Sequence, residues 1–110
     1  MKKERRIRKN EEFQQIIKNA KFVTSDKFVV YFREKIQEYN RVGISVGKKM
    51  GNAVERNKIK RQVRMMINET ECLALSYDLI IIVRKGYPLA SYDTNKKSLE
   101  NMLKKVKIRA

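Results

Sequence analysis

The run from Asp78 to Arg84, DLIIIVR, constrains the fold of this chain more than any other stretch. Its aliphatic residues do not alternate with polar ones, so a strand formed here is apolar on both faces. Such a strand belongs in the middle of a sheet that is covered on both sides. We therefore predict a buried strand over residues 78–84.

Residues 41–47 predict a second strand, whose two faces differ. One face carries β-branched residues and the other only small ones: Val42, Ile44 and Val46 against Gly43, Ser45 and Gly47. The small residues leave room for close approach by a helix or another backbone. Because a helix predicted over residues 52–70 lies between the two strands, the three elements form a βαβ unit whose strands should be parallel.

The helix over residues 52–70 has an apolar side and a cationic side. At about 100° per residue, the apolar stripe comprises Ile59, Val63, Met66 and Ile67. The opposite arc carries Asn57, Lys60, Arg61 and Arg64, with Arg56 at its edge. Asn52 is the predicted N-cap. Because Glu55 alone opposes these cations, we interpret the cationic side as a surface for a polyanion rather than as a merely solvated face.

Shorter patterns predict the remaining elements. They are a helix over residues 11–19 with Asn10 as its N-cap, a short strand over 22–24, a strand over 28–33, and a last helix capped by Ser91 or Asp93. The fold class is α+β, resembling an α/β sandwich, with the order α-β-β-β-α-β-α and a mixed four-stranded sheet. We expect residues 1–110 to form a single RNA-binding domain, with residues 1–9 as a flexible basic N-terminal head.

The charge balance narrows the function. Twenty-seven Lys and Arg residues against twelve Asp and Glu residues give a net charge of +15, which favours a phosphate-bearing partner. With no histidine and one cysteine, Cys72, the chain lacks the commonest general base and cannot build a zinc site. The aliphatic run from Leu79 to Val83 is too short to span a bilayer, and no apolar segment follows Met1, so we expect a cytoplasmic protein without a membrane partner.

A longer motif makes the prediction specific. Arg56-Asn57-Lys58 with Lys60-Arg61 and Arg64 follows Val42-Gly43-Ile44-Ser45-Val46-Gly47-Lys48-Lys49 and Gly51-Asn52-Ala53-Val54. This order resembles the signature of the bacterial ribonuclease P protein component, and the resemblance covers nearly the whole chain. It implies an enzyme subunit whose partners are a catalytic RNA and the 5′ leader of precursor tRNA, with no DNA partner. In that family the RNA subunit holds the magnesium ions and hydrolyses the precursor, so no cofactor is expected on the protein. The family topology also implies a left-handed βαβ crossover, although right-handed crossovers occur in about 98% of cases.

Carried over position by position, the resemblance implies two binding surfaces and no catalytic or metal-binding residue in the protein. The RNA-binding residues are Lys48, Lys49, Asn52, Arg56, Asn57, Lys58, Lys60, Arg61 and Arg64. The leader-binding cleft is formed by Phe13, Ile17 and Tyr31. Two positions depart from the family pattern, since Lys58 stands where arginine is usual and Ile17 where many members carry an aromatic residue.

The residues alone leave two questions open. Phe13, Tyr31 and Phe32 are either stacking faces for an unpaired strand or ordinary core residues. The alternative function is a general RNA-binding module, such as a ribosomal-type protein or an RNA chaperone, with no role in cleavage. A helix that reads the DNA major groove is a weak third hypothesis, because no helix-turn-helix spacing precedes residue 52.

Overall fold

The computed structural model describes residues 3–109, so Met1, Lys2 and Ala110 lie outside the description that follows. Three helices and four strands follow one another in the predicted order. They are α1 (Asn10–Asn19), β1 (Lys21–Thr24), β2 (Phe28–Glu34), β3 (Val42–Ser45), α2 (Ala53–Glu69), β4 (Tyr77–Val83) and α3 (Tyr92–Arg109). The α+β class and the order of elements are therefore confirmed.

Strand β4 lies inside a four-stranded mixed sheet of order β1-β2-β4-β3. It pairs antiparallel with β2 and parallel with β3, which confirms both the interior position and the parallel βαβ pairing. The left-handed crossover stays a prediction. Strand β3 ends at Ser45, two residues earlier than predicted, because the chain turns into a short 3-10 helix at Lys48–Met50 ahead of α2.

The two faces of the sheet carry cores of different size. The larger core includes Phe28, Val30 and Phe32 of β2, and α2 and α3 bury their apolar stripes against it. The smaller core lies on the opposite face, where Ile80 packs with Ile16 of α1. Because α2 and α3 cover one face of the sheet and α1 covers the other, neither face of β4 is exposed to solvent. This explains why apolar and polar residues do not alternate along β4. Phe32 is thus a core residue.

Helix ends match the sequence at α2 and α3 and differ at α1. Asn52 and Glu55 form a reciprocal capping box, which confirms Asn52 as the N-cap of α2. Ser91 Oγ accepts from the Thr94 backbone N–H and caps α3. The predicted N-cap Asn10 is instead the first residue of α1, and Lys9, which has no side-chain acceptor, precedes it.

The flexible basic head predicted for residues 1–9 stays a prediction: Met1 and Lys2 lie outside the described residues, and residues 3–9 contact the sheet in the structure. Lys3–Arg5 forms a 3-10 turn, and Arg6 bridges in parallel to Val42 on the outer edge of β3. The Ile7 backbone N–H donates to Val42 O at 3.0 Å, and the Ile7 side chain is buried in the smaller core. An unpaired strand edge and one apolar side chain are enough to dock this segment. The composition of residues 3–9 did not predict this docking, because the six residues other than Ile7 are all charged.

The structure also bears on two sequence-based expectations, the absence of a membrane-spanning helix and the role of Cys72. Within residues 3–109, no helix has the length and apolar character needed to cross a bilayer. Burial raises the pKa of Cys72 to about 11, so its thiol stays protonated at neutral pH. Cys72 is therefore a small buried apolar residue of the larger core.

Candidate nucleic-acid interface

Phe13 of α1 lies directly on Gly43 of β3. A Cβ atom added at Gly43 would meet Phe13 Cζ at 2.6 Å and Phe13 Cε2 at 3.0 Å. This contact confirms the close approach predicted from the small residues of β3. It places the phenyl ring at the edge of the sheet, beside the docked N-terminal segment.

The predicted leader-binding residues come together around this contact. Phe13, Ile17 and Tyr31 are all partly buried and pack on the smaller core formed by Ile7, Ile16 and Ile80. Each keeps part of its side chain exposed, as a binding surface requires. We call this surface the leader cleft after the predicted role of its residues, which stays a prediction.

An aromatic residue that sequence reasoning missed extends the same surface. Phe22 of β1 lies opposite Tyr31 in the strand register, with their ring centroids 5.5 Å apart. The pairing continues from Tyr31 to Ile80 and from Ile80 to Gly43, so one row of residues crosses all four strands. Only the pairing register could have revealed this row, because Phe22 and Tyr31 are separated by a turn of unknown geometry in the sequence.

A polar network holds α1 and the N-terminal segment on the sheet. The Arg41 guanidinium donates to both carboxylate oxygens of Glu12, at 2.5 and 3.0 Å, and to Arg6 O at 3.1 Å. The hydrogen bond from Arg41 lowers the pKa of Glu12. Asp78 accepts from the Arg41 backbone N–H at 2.8 Å and from Arg33 Nε at 3.3 Å. Glu12, the neighbour of Phe13 in α1, is therefore held by Arg41, and Arg41 is in turn held by Asp78 of β4.

The second predicted surface lies along one side of α2. We call Arg56, Asn57, Lys60, Arg61 and Arg64 the basic flank; Asn57 and Arg61 are exposed, and the other three are half-buried. Lys48 and Lys49 are exposed on the turn that precedes α2. The Asn52 carboxamide oxygen is already engaged in the capping box. The residues of the basic flank therefore share one side of α2, and their role in RNA binding stays a prediction.

Lys58 lies at the border of the basic flank. It lies two residues from Lys60 and therefore about 200° round the helix. The structure places Lys58 beside a different cavity, lined also by Tyr87 and Tyr92 between α2 and α3. Lys58 lies three residues before Arg61, so the two lie only about 60° apart on the helix, and Lys58 borders the basic flank although it also lines this second cavity.

The basic flank and the leader cleft meet at one open cavity of about 330 Å³. Lys60 and Arg64 line it from α2, Phe13 lines it from α1, and Arg6 and Arg8 line it from the N-terminal segment. Burial and then the charge of Arg6 lower the pKa of Arg64, and both arginines line this cavity. Such a cluster favours a bound anion, because the anion relieves the repulsion between them.

Filling the space above Gly43 should perturb the leader cleft. Gly43→Ala places a methyl group 2.6 Å from the Phe13 ring, so overpacking should lower the free energy of unfolding by about 1–3 kcal/mol. Urea unfolding of the purified chain measures this. Gly47→Ala is the matched control, because nothing lies within 4 Å of its added Cβ and its φ is −68°. Equal stabilities of the two variants would show that Phe13 does not rest on Gly43.

Comparison with known proteins identifies the family. The family model described as Ribonuclease P matches residues 1–107. The ribonuclease P protein component of Mycoplasma mycoides subsp. mycoides SC is 47% identical over 109 residues, covering 97% of this chain and 100% of that protein. The solved structure of the Staphylococcus aureus RNase P protein matches with a TM-score of 0.83 and 40% identity, covering 94% of this chain and 95% of that one. The RNase P protein from Thermotoga maritima matches with a TM-score of 0.80 and 33% identity, covering 91% and 96%. The chain therefore belongs to the ribonuclease P protein component family and acts in tRNA processing as the protein subunit of that enzyme.

Proposed function

We propose that the basic flank binds the catalytic RNA subunit of ribonuclease P and that the leader cleft binds the 5′ leader of precursor tRNA. The observation that carries this proposal is the shared cavity, where Lys60 and Arg64 of the flank lie beside Phe13 of the cleft. A substrate strand leaving the RNA subunit can pass from one surface to the other without crossing an uncharged gap.

The side chains suit these two roles. Arginine forks bind phosphates in bidentate geometry, and the Asn57 carboxamide can meet a base edge or a sugar hydroxyl. Phe13 and Tyr31 offer partly exposed aromatic faces on which unpaired bases can stack. Folded RNA is thus matched to the flank and an unpaired strand to the cleft.

We further propose that the bond is cleaved by the RNA, with magnesium ions at the RNA active site. Within residues 3–109, no group of three or more Cys, Asp or Glu side chains lies close enough together to hold a metal ion. The chain positions the leader and neutralises phosphates. Its contribution is to binding and orientation of the substrate.

A reconstitution assay tests the proposed function. The purified chain alone should not cleave precursor tRNA, whereas the chain added to its cognate RNA subunit at low magnesium concentration should give correct 5′ ends. Affinity is then compared for tRNA with and without a 5′ leader in the presence of the RNA subunit. Tight binding with no stimulation and no leader dependence would favour the general RNA-binding module instead.

Removing the Tyr31 ring should separate the two surfaces. Tyr31→Ala should reduce the affinity of the reconstituted enzyme for leader-bearing substrate by about tenfold, because a base stacked on an aromatic ring contributes ~1–3 kcal/mol. Assembly with the RNA subunit should stay unchanged, and Tyr31→Phe, which keeps the ring, should bind normally. A loss of assembly that matches the loss of leader binding would contradict the two-surface model.

A further inference from the structure

We infer that Phe22 on β1 provides an additional stacking site for the leader, at the end of the leader cleft opposite Phe13. This inference rests on the proposed function of that cleft. Phe22 is 50% exposed, an unusual state for a phenyl ring in a strand. Its ring faces Tyr31 on the same side of the sheet, so two neighbouring aromatic faces are available there.

Helix α1 covers only part of the row of residues that crosses the sheet. At the β3 and β4 end, Phe13 rests on Gly43, and Ile80 is fully buried under α1. At the β1 end, Phe22 remains half exposed. The row thus runs from a covered end to an open end. A single exposed apolar residue needs no explanation, but an exposed ring beside another ring on an open sheet face does.

Cations border this open end. The exposed Arg84 side chain donates to Thr24 Oγ1 at 2.9 Å and to Ser25 O at 2.7 Å. The exposed Arg109 side chain donates to Phe22 O at 3.2 Å. Both guanidinium groups are therefore held at β1, one of them on the backbone of Phe22 itself. Aromatic faces bordered by cations are typical of surfaces that bind single-stranded nucleic acid.

The dimensions suit several nucleotides of one strand. Four strands spaced by about 4.8 Å put β1 about 14 Å from β3. That span is several times the roughly 3.4 Å separation of stacked bases, so it accommodates more than one nucleotide of a strand. Ile17 has no aromatic face, so Phe13, Tyr31 and Phe22 are the rings available along the cleft. We assign Phe22 to the nucleotide farthest from Phe13.

Leaders of graded length test this assignment. The enzyme is reconstituted from the RNA subunit and the full chain, and Kd is measured for precursor tRNAs whose leaders are shortened one nucleotide at a time. Phe22→Ala should weaken binding about tenfold for long leaders and leave binding of the shortest leaders unchanged. Phe22→Tyr, which keeps the ring, should restore the affinity for long leaders.

The controls separate this inference from its premise. Leu89→Ala removes a side chain that is 89% exposed outside the cleft and should bind every leader like the unmodified chain. If Tyr31→Ala lowers leader affinity while Phe22→Ala has no effect at any length, the Phe22 site is wrong and the proposed function stands. If neither variant alters leader affinity, the proposed function itself is wrong. If Phe22→Ala lowered the affinity equally for all leader lengths, the assignment of Phe22 to the far nucleotide would also be wrong.

Discussion

Raising the salt concentration from about 50 to about 200 mM should lower the affinity of this chain for the RNA subunit by about a thousandfold. The reason is counterion release: each phosphate neutralised by Lys or Arg frees ions from the RNA, and added salt opposes that release. The basic flank together with Lys48 and Lys49 provides six cations, enough for about this dependence. Binding measured over a series of potassium chloride concentrations gives the slope directly.

One side chain of the flank can be removed with little other consequence. Arg61 is exposed and forms no salt bridge within the described part of the chain, so it is available to a phosphate. Arg61→Ala should reduce the slope of log affinity against log salt by about one. Lys97→Ala, on the exposed side of α3, is the matched control and should leave the slope unchanged. Equal slopes for the two variants would show that α2 does not face the RNA.

Removing the Asp78 carboxylate should cause the largest loss of stability. Asp78 is 1% exposed and accepts from the Arg33 side chain and from the Arg41 backbone N–H. Breaking a buried charge pair costs about 3–5 kcal/mol, and because Arg33 is partly exposed we expect the lower end, about 3 kcal/mol, for Asp78→Ala. Urea unfolding of the chain without RNA measures the difference.

Two variants make the stability measurement specific. Asp78→Asn keeps an oxygen that can accept from the Arg41 backbone N–H, so it should lose less stability than Asp78→Ala. Glu38→Ala removes an exposed carboxylate and should change stability by less than about 0.5 kcal/mol. If Asp78→Ala were as stable as Glu38→Ala, the network that holds Arg41, and through it Glu12, would not be supporting the leader cleft.

The sequence predicted the elements whose signals are local. The stripe at Ile59, Val63, Met66 and Ile67 predicted α2, and Asn52 with Glu55 marked its beginning, since caps and helical periodicity lie within a few residues of each other. The small residues of β3 predicted a close neighbour, which is Phe13. The helical periodicity of α2 also predicted that Arg56, Lys60 and Arg64 share one side of the helix, whereas their role in RNA binding stays a prediction.

What the sequence by itself determined was therefore the order of elements, the burial of β4 and the cationic character of α2. Only the tertiary structure decided that residues 3–9 dock on the edge of β3, that Arg6 and Arg64 line one cavity, and that Phe22 lies beside Tyr31. The physical reason is that these contacts depend on strand register and on which edge of the sheet is free. Both are set by pairing between segments far apart in the chain, which leaves no periodic signal within either segment.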